Sequence, residues 1–279
     1  MLGLGLSLAS AFSWGVSDFL GGLQSRRLPV LGVLAVSQPA GLVLALLLIP
    51  VLGADPIPAD KLAIAAAAGA ASLGGLAAYY EAMAVGTVSV VAPIASLGVM
   101  VPVIVGLARG EDPATVQLVG LVVAIAGVVV LSYEEDPEHV HVARRSILLA
   151  ILAALGFGIF FTGIDSAATD HPGWAIIAVR VGGVVTVIAA MLVARPQLGG
   201  VGAALSVLVV IGAFDVLANA LFALASTKGI LPVVAVGGSM YPAFTVGLAH
   251  GFLGERLARI QWAGVVLALA GVALIAGGG

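Results

Sequence analysis

The chain has few charged residues and no cysteine. Only 9% of its 279 residues are charged and 61% are apolar, with a mean hydropathy of +1.22, whereas a soluble domain is about a quarter charged. This composition excludes a water-soluble protein and predicts an integral membrane protein. The net charge of −3 is too small to indicate a nucleic-acid partner. Without cysteine there are no disulfides, thiolate metal sites or cysteine nucleophiles.

The common motifs of catalytic and nucleotide-binding sites are also missing. The sequence has no Gly-x-Ser-x-Gly, no phosphate loop and no His-Glu-x-x-His pattern. His139 and His141 follow a run of acidic residues in a polar segment, and this pattern favours a solvated loop over a metal site. We therefore expect no catalytic residue, no metal and no cofactor. The N-terminus lacks the basic region of a signal peptide, so we expect the first apolar run to be retained.

Ten apolar segments are long enough to cross a membrane as helices. A spanning helix needs about 20 apolar residues, and in lipid its backbone groups must bond within the segment. Pro232 and Pro242, with two glycines between them, predict that the ninth segment is not helical throughout. In order, the segments are Leu2–Gly22, Val30–Leu52, Leu62–Tyr80, Val88–Ala108, Ala114–Leu131, Ile147–Ala167, Trp174–Ala194, Ala203–Ala225, Ile230–Gly251 and Ile260–Ala276.

The end of the sequence repeats an earlier part of it at a spacing of 144 residues. Gln117-Leu118-Val119-Gly120 matches Gln261-Trp262-Ala263-Gly264, and Gly110-Glu111 matches Gly254-Glu255. Seven of the fourteen positions from Gln117 to Val130 are identical to their partners. Chance matches of alanine explain some of this identity, but the shared Gln, Gly and Glu positions indicate a duplication.

The duplication divides the chain into two units of five predicted helices. The first covers residues 1–132 and the second 146–279, and a polar linker, 133–145, joins them. Because five is odd, the second unit must enter the membrane in the opposite direction from the first. The sequence therefore predicts an all-α integral membrane protein with ten transmembrane helices as two inverted five-helix repeats. Inverted repeats with a substrate site at their interface are a recurring transporter plan.

These features resemble those of the drug/metabolite transporter superfamily, in its ten-helix branch with two EamA-type repeats. The resemblance covers almost the whole chain and is strongest over Leu221–Ala276. It departs from the family pattern where Asp112-Pro113 follows Glu111, and where Gly98 or Val99 stands opposite Pro242. The residues that carry it are Trp14-Gly15, Ala82-Met83, Gly110-Glu111, Gly120 and Gly127 in the first half, and Ala225-Ser226, Pro242, Gly254-Glu255-Arg256, Gly264 and Gly271 in the second.

The resemblance implies that the protein moves small organic solutes across a membrane. We expect a multi-pass protein of the cell membrane, an exporter or exchanger whose partners are a small solute and the lipid bilayer. Alternating access is the mechanism that this interpretation predicts. A proton gradient is the candidate driver, and facilitated exchange, which needs no titrating group, is the alternative. A passive pore and an intramembrane enzyme acting on lipid remain alternatives, although no set of nucleophile, base and oxyanion donors is visible in the sequence.

Ionisable residues within the spans are the first candidates for a functional site, because a charge in lipid costs at least ~2.5 kcal/mol near the centre. Asp215 and Asn219 share one face of the eighth span, and we predict that they line a polar cavity. Asp18 stands one turn after Trp14, and either Asp18 or Asp215 is expected to bind a proton or the substrate. Arg180 requires an anionic partner, which is either an internal carboxylate or the substrate.

Other side chains have a functional and a structural interpretation. Trp14, Tyr79 and Tyr241, with Tyr80 and Phe157, could form an aromatic wall for an organic solute, although each alone is more typical of packing. Tyr241-Pro242 differs, because proline frees a backbone carbonyl at membrane depth. Three acidic residues are predicted to be interfacial: Glu81, Asp165 and Glu255, the last in an ion pair with Arg256.

Two arguments about orientation disagree. Basic residues favour the cytoplasmic side, and leaving out Arg180 the odd-numbered loops hold more of them. The resemblance implies the reverse, with both termini in the cytoplasm. Because an inverted duplication has little intrinsic charge bias, we expect cytoplasmic termini. The odd loops hold Arg26, Arg27, Arg144, Arg145, Arg195, Arg256 and Arg259, and the even loops hold Lys61, Arg109 and Lys228.

Overall fold

Helices make up almost all of the computed structural model. It describes residues 2–52, 58–108, 110, 114–131, 140–167, 172–228, 237–238, 240–255 and 257–277, and none of these is in a strand. The helices, numbered in chain order, are α1 Leu2–Ser25, α2 Val30–Leu52, α3 Ala59–Val85, α4 Val88–Ala95, α5 Met100–Ala108, α6 Thr115–Leu131, α7 Val140–Ala167, α8 Pro172–Ala194, α9 Leu205–Lys228, α10 Tyr241–Leu248 and α11 Arg259–Gly277.

Five helical segments in the described part of the chain have the length and composition of membrane spans. Large apolar side chains are exposed along the helices, including Leu47, Val122 and Val193, as is favourable only against lipid. Together these features confirm the predicted all-α integral membrane fold. Helical segments long and apolar enough to cross a membrane are Val30–Pro50, Ala59–Val85, Arg144–Gly163, Gly173–Ala194 and Gly202–Phe222, and shorter apolar ones are Val88–Gly98, Thr115–Gly127 and Arg259–Ile275.

The fourth predicted span, Val88–Ala108, is not one regular helix, and in this detail the prediction was wrong. It consists of α4, a 3-10 turn at Ser96–Val99, and α5. The turn falls where residue 102, a proline, has no N–H for the carbonyl of residue 98. Ser96 Oγ donates instead to the carbonyl of Pro93 at 2.7 Å. This span therefore resembles its repeat partner, the ninth, in being interrupted.

The ninth span is irregular, as its prolines and glycines predict. Residues 229–236 and 239 lie outside the described residues. The helix α10 begins at Tyr241 with Pro242 in its first turn. Proline is tolerated there because the N–H groups of a first turn have no partner within the helix. A π-helical turn, Ala249–Leu253, follows, and the span ends at Gly254 with φ +65°.

Several helices extend beyond their predicted ends, and the extensions of α7 and α3 are the longest. The sixth predicted span begins at Val140, so the second half of the predicted polar linker is the first part of α7; residues 132–139 lie outside the described residues. The third span, α3, runs to Val85, which places Glu81 in its last turns. The extension of α7 is polar, whereas α3 continues past Glu81 through four apolar residues.

The fifth and tenth spans, α6 and α11, pack against each other in opposite directions. A methyl group on Gly127 would overlap the backbone of Ala268, and one on Gly271 would overlap that of Ala124. Gly127 and Gly271 are 144 positions apart, and so are Ala124 and Ala268. The two contacts are therefore equivalent, and a two-fold axis relates them. Small residues permit this close approach of helices in lipid. The geometry confirms that the repeats are inverted.

Contacts between the other helices also occur in pairs. α1 packs on α9 as α7 packs on α3, and α2 packs on α9 as α8 packs on α3. A side chain added at Gly69 of α3 would overlap Val179 of α8, and one at Gly212 of α9 would overlap Ser37 of α2. In each of these pairs, a helix of one repeat packs against a helix of the other, as expected of two interlocked inverted repeats. Most of the core is thus formed between the repeats.

Candidate functional site

A buried ion pair lies in the middle of the helix bundle. Arg180 Nη1 of α8 is 2.5 Å from Asp215 Oδ2 of α9. The same nitrogen is 3.5 Å from Oε1 of Gln38 in α2. Arg180 is 7% exposed, and its Nε has no hydrogen-bond partner among the described residues. The anionic partner of Arg180 is therefore an internal carboxylate, one of the two alternatives that the sequence left open.

Gln38 and Arg180 occupy equivalent positions in the two repeats. α2 and α8 are both 23 residues long and stand 142 positions apart, and the same spacing separates Gln38 from Arg180. Each side chain is eight residues into its helix, or about 12 Å along it. Because the two helices enter from opposite faces, the side chains meet near the middle of the membrane. Gln38 was missed by the sequence analysis, although its repeat relation to Arg180 was a usable signal.

Asn219 bonds to its own helix. Its Nδ2 donates to the backbone carbonyl of Asp215 at 2.7 Å. Asn219 and Asp215 do share a face of α9, but in this structure the amide binds its own helix and leaves the Asp215 carboxylate to Arg180. Asp215 is therefore bonded twice, by Asn219 at its backbone carbonyl and by Arg180 at its carboxylate.

Asp18 is the second carboxyl group at the centre of the bundle. It is half-buried and lies within electrostatic range of the Asp215 carboxylate and the Tyr79 phenol. The Tyr79 hydroxyl is fully buried, and it makes no hydrogen bond of acceptable geometry within the described ranges. Asp18 has no ion pair among the described residues.

Aromatic side chains lie on two sides of Asp18. Trp14 packs on Tyr241, with ring centroids 6.3 Å apart, and on Phe222 at 5.9 Å. Tyr79 packs on Phe157 at 5.7 Å. Tyr241 is also within electrostatic range of Asp18. The structure therefore brings the predicted Trp14, Tyr79 and Tyr241 together around one carboxyl, and adds Phe222.

A polar network closes one end of the bundle, which we call the Glu255 face. Both Glu255 carboxylate oxygens accept from the first turn of α4, at Val88 N (3.1 Å) and at Ser89 N (3.0 Å) and Oγ (2.9 Å). Arg26 Nη2 is 3.2 Å from Glu255 Oε1 and also donates to the carbonyl of Gly86. Glu255 therefore pairs with Arg26, and the expected partner Arg256 lies outside the described residues.

The other predicted interfacial acids differ in what the structure describes. Glu81 pairs with Arg145 of α7 at 2.8 Å, and both side chains are more than a third exposed. This exposed pair lies where α3 ends and α7 begins, and agrees with the interfacial interpretation of Glu81. Asp165 lies on α7, but its side chain is outside the described part of the chain.

The fold and the central cluster define a multi-pass membrane protein built from two inverted repeats around a polar site. The model of the EamA-like transporter family matches residues 1–133 and 144–277. The chain belongs to this family, which confirms the resemblance found in the sequence.

The comparisons with solved structures agree on the fold. Fourteen chains match. One of them, described as "Crystal structure of protein", has a TM-score of 0.63 at 14% identity over 95% of each chain, and this likeness shows the fold alone. No curated protein matches the chain.

Proposed function

We propose that this protein is a secondary transporter of small organic solutes in the cell membrane, and that it works by alternating access. The observation that carries the proposal is the meeting of Gln38 and Arg180, two repeat-equivalent side chains, at the interface of inverted repeats. Sites at such interfaces, near the bilayer midplane, are the ones that inverted-repeat transporters expose first to one side and then to the other.

The Arg180–Asp215 pair is the fixed, charge-balanced part of the site. A buried guanidinium without an anion would be costly, and Asp215 supplies that anion. Gln38 adds a neutral polar group on the other repeat. The pair holds α8 to α9, and Gln38 links α2 to α8. Its role in the proposal is to keep the site polar while adding no net charge.

Asp18 is the part of the site that changes charge. No arginine or lysine among the described residues pairs with it, so its carboxylate is stabilised in lipid only by protonation or by a cation from outside. The aromatic side chains next to it offer an apolar surface to an organic solute. In the proposal Asp18 exchanges a proton with the solvent when the site opens. Proton movement is thereby coupled to solute movement.

The Glu255 network is the closed gate of this state. It joins the turn before α11 to the end of α1 and the start of α4. These elements come from both repeats, so rocking of one repeat against the other must break the network. Solute then reaches the central site from the Glu255 face. The opposite face is expected to close in the same movement.

Proteoliposomes containing a trapped pH-sensitive dye test this proposal. We expect some members of a panel of small organic solutes to change the internal pH when they are added outside. Asp18→Asn should abolish this pH change without loss of monodisperse protein. A rapid, solute-independent leak of protons and ions through wild-type protein would instead indicate a pore. Chemical conversion of lipid in the same vesicles would indicate an enzyme.

A further inference from the structure

An apolar groove runs along the outside of the bundle between α1 and the end of the ninth span. Its volume is about 490 Å³, and it is separate from the central polar cluster. One wall is a stripe of α1, and the other is formed around the π-helical turn. Phe252 in that turn is 78% exposed and packs on Phe19 across the groove at 6.0 Å. The lining residues are Val16, Phe19, Leu20, Leu23, Arg27, Leu248, Phe252 and Leu253.

The length of the groove matches one leaflet of a bilayer. From Val16 to Arg27 it covers eleven residues of chain, nearly all of them in α1, or about 16 Å at helical rise. Half of the hydrocarbon core of a bilayer is about 15 Å thick. Arg27 lies just beyond the end of α1, at the membrane surface, and Val16 lies near the middle. A lipid acyl chain entering beside Arg27 would therefore fill the groove along its length.

Arg27 gives this groove a positively charged mouth. Its neighbour Arg26 is engaged by Glu255, Gly86 and Met83, whereas the side chain of Arg27 is exposed and forms no ion pair or hydrogen bond within the described ranges. None of the described residues that line the groove is acidic. An arginine guanidinium binds phosphate through two parallel hydrogen bonds, and basic residues next to spans are a common feature of anionic lipid sites.

We propose that this groove is a binding site for an anionic phospholipid. One acyl chain lies between α1 and the π-helical turn, and the phosphate binds Arg27. The bound lipid fills the gap beside Phe252 and fastens the ninth span to α1 on the Glu255 face. This site is separate from the transported solute and does not depend on the proposed function.

Native mass spectrometry of the full chain in neutral detergent tests the proposal. Phosphatidylglycerol and phosphatidylcholine with identical acyl chains serve as probes. We expect wild-type protein to retain more phosphatidylglycerol than phosphatidylcholine. Arg27→Gln should retain about fivefold less phosphatidylglycerol than wild type, since one basic residue near an anionic lipid surface changes binding by about that factor. Arg144→Gln is the matched control, because Arg144 is an equally exposed arginine at the start of α7, outside the groove. It should retain phosphatidylglycerol as wild type does.

Two further arms separate the lipid from its headgroup. Leu20→Trp fills the groove and should lower retention of both lipids, because the acyl chain then has no space. Glycerol 3-phosphate, which has no acyl chain, should not displace phosphatidylglycerol. Equal losses in the Arg27 and Arg144 variants, unchanged retention in Arg27→Gln or Leu20→Trp, or displacement by glycerol 3-phosphate would each overturn the proposal.

Discussion

Gln38 and Arg180 contact each other at the centre of the bundle, although they stand at equivalent positions of two repeats that run in opposite directions. The contact lies on the axis that relates the repeats, where symmetry would place two identical groups. The sequence has diverged there, so that one repeat supplies an amide and the other a cation. That cation is balanced by Asp215 of α9. The equivalent close contacts at Gly69 and Gly212 set a spacing of 143 between α3 and α9, which makes Ser72 the counterpart of Asp215. Duplication produced the scaffold, and divergence on the axis produced the charged site.

The Arg180–Asp215 pair predicts a stability defect that a second substitution repairs. Arg180→Gln leaves a largely buried carboxylate unpaired, which costs about 3 kcal/mol, and should lower the melting temperature of the purified protein. Arg180→Gln with Asp215→Asn removes both charges and should recover most of the loss. Asp215→Asn alone leaves the Arg180 guanidinium without its anion, so it should also lower the melting temperature. The variant should still insert and remain monodisperse but transport less. A double variant no more stable than Arg180→Gln would show that the two side chains do not form a pair in the membrane.

The Glu255 network predicts that one substitution opens one face. Glu255→Ala removes the acceptor of four donor groups. Because charge-assisted hydrogen bonds each contribute about 1.5–3 kcal/mol, exposure of the adjacent buried surface should rise by tenfold or more. Ser146→Cys reports this exposure, since Ser146 is 3% exposed and lies beside Gly86. Its labelling by a maleimide should be slow alone and fast with Glu255→Ala. Equal rates would rule out a gate at this position.

The α6–α11 contact predicts a position-dependent effect of alanine. Gly127→Ala should destabilise the protein by about 1–3 kcal/mol, because the new methyl group overlaps the backbone of Ala268. Gly74→Ala is the matched control, since a methyl group there meets no atom within 4 Å. In a helix it should be neutral or stabilising, as alanine is favoured over glycine by about 1 kcal/mol. Thermal melting of the two variants decides the point, and similar melting temperatures would contradict the antiparallel contact.

Orientation is predicted to place the Glu255 face outside the cell and both termini inside. The native chain has no cysteine, so single cysteines report without background. Gly199→Cys lies in an exposed turn between α8 and α9 with free space around it, and Asp60→Cys lies at the exposed start of α3, on the opposite face. An impermeant maleimide applied to intact cells should label residue 199 only. Labelling at residue 60 only would favour the count of basic residues over the family resemblance.

The sequence predicted the spans and the repeat well because each leaves a direct pattern in the sequence. Apolar length specifies a span, and a shared pattern such as Gly110-Glu111 with Gly254-Glu255 identifies a duplication. The break at Ser96–Val99 was missed, because the apolar residues around it continue without interruption. The helical extension of α7 from Val140 was missed because its first turns are polar.

Partners within the site could be predicted only in part. That Arg180 requires an anion follows from the cost of a charge in lipid, but the identity of that anion depends on how α8 crosses α9. Asn219 and Asp215 were correctly placed on one face, yet the amide bonds to a backbone carbonyl, which spacing alone does not specify. Glu255 pairs with Arg26, more than two hundred residues away, a partner that the sequence did not predict. The expected partner, Arg256, lies outside the described residues.

The most direct test of the account is counterflow by wild-type and Asp18→Asn proteoliposomes, using a solute identified by the dye assay. Preloading wild-type vesicles with unlabelled solute should accelerate uptake of labelled solute, because an alternating-access site returns loaded. Asp18→Asn should keep this exchange while losing uphill uptake driven by a pH gradient. Flux that is unaffected by preloading, or a pH-driven uptake that survives in Asp18→Asn, would contradict a carrier in which Asp18 couples protons to the solute.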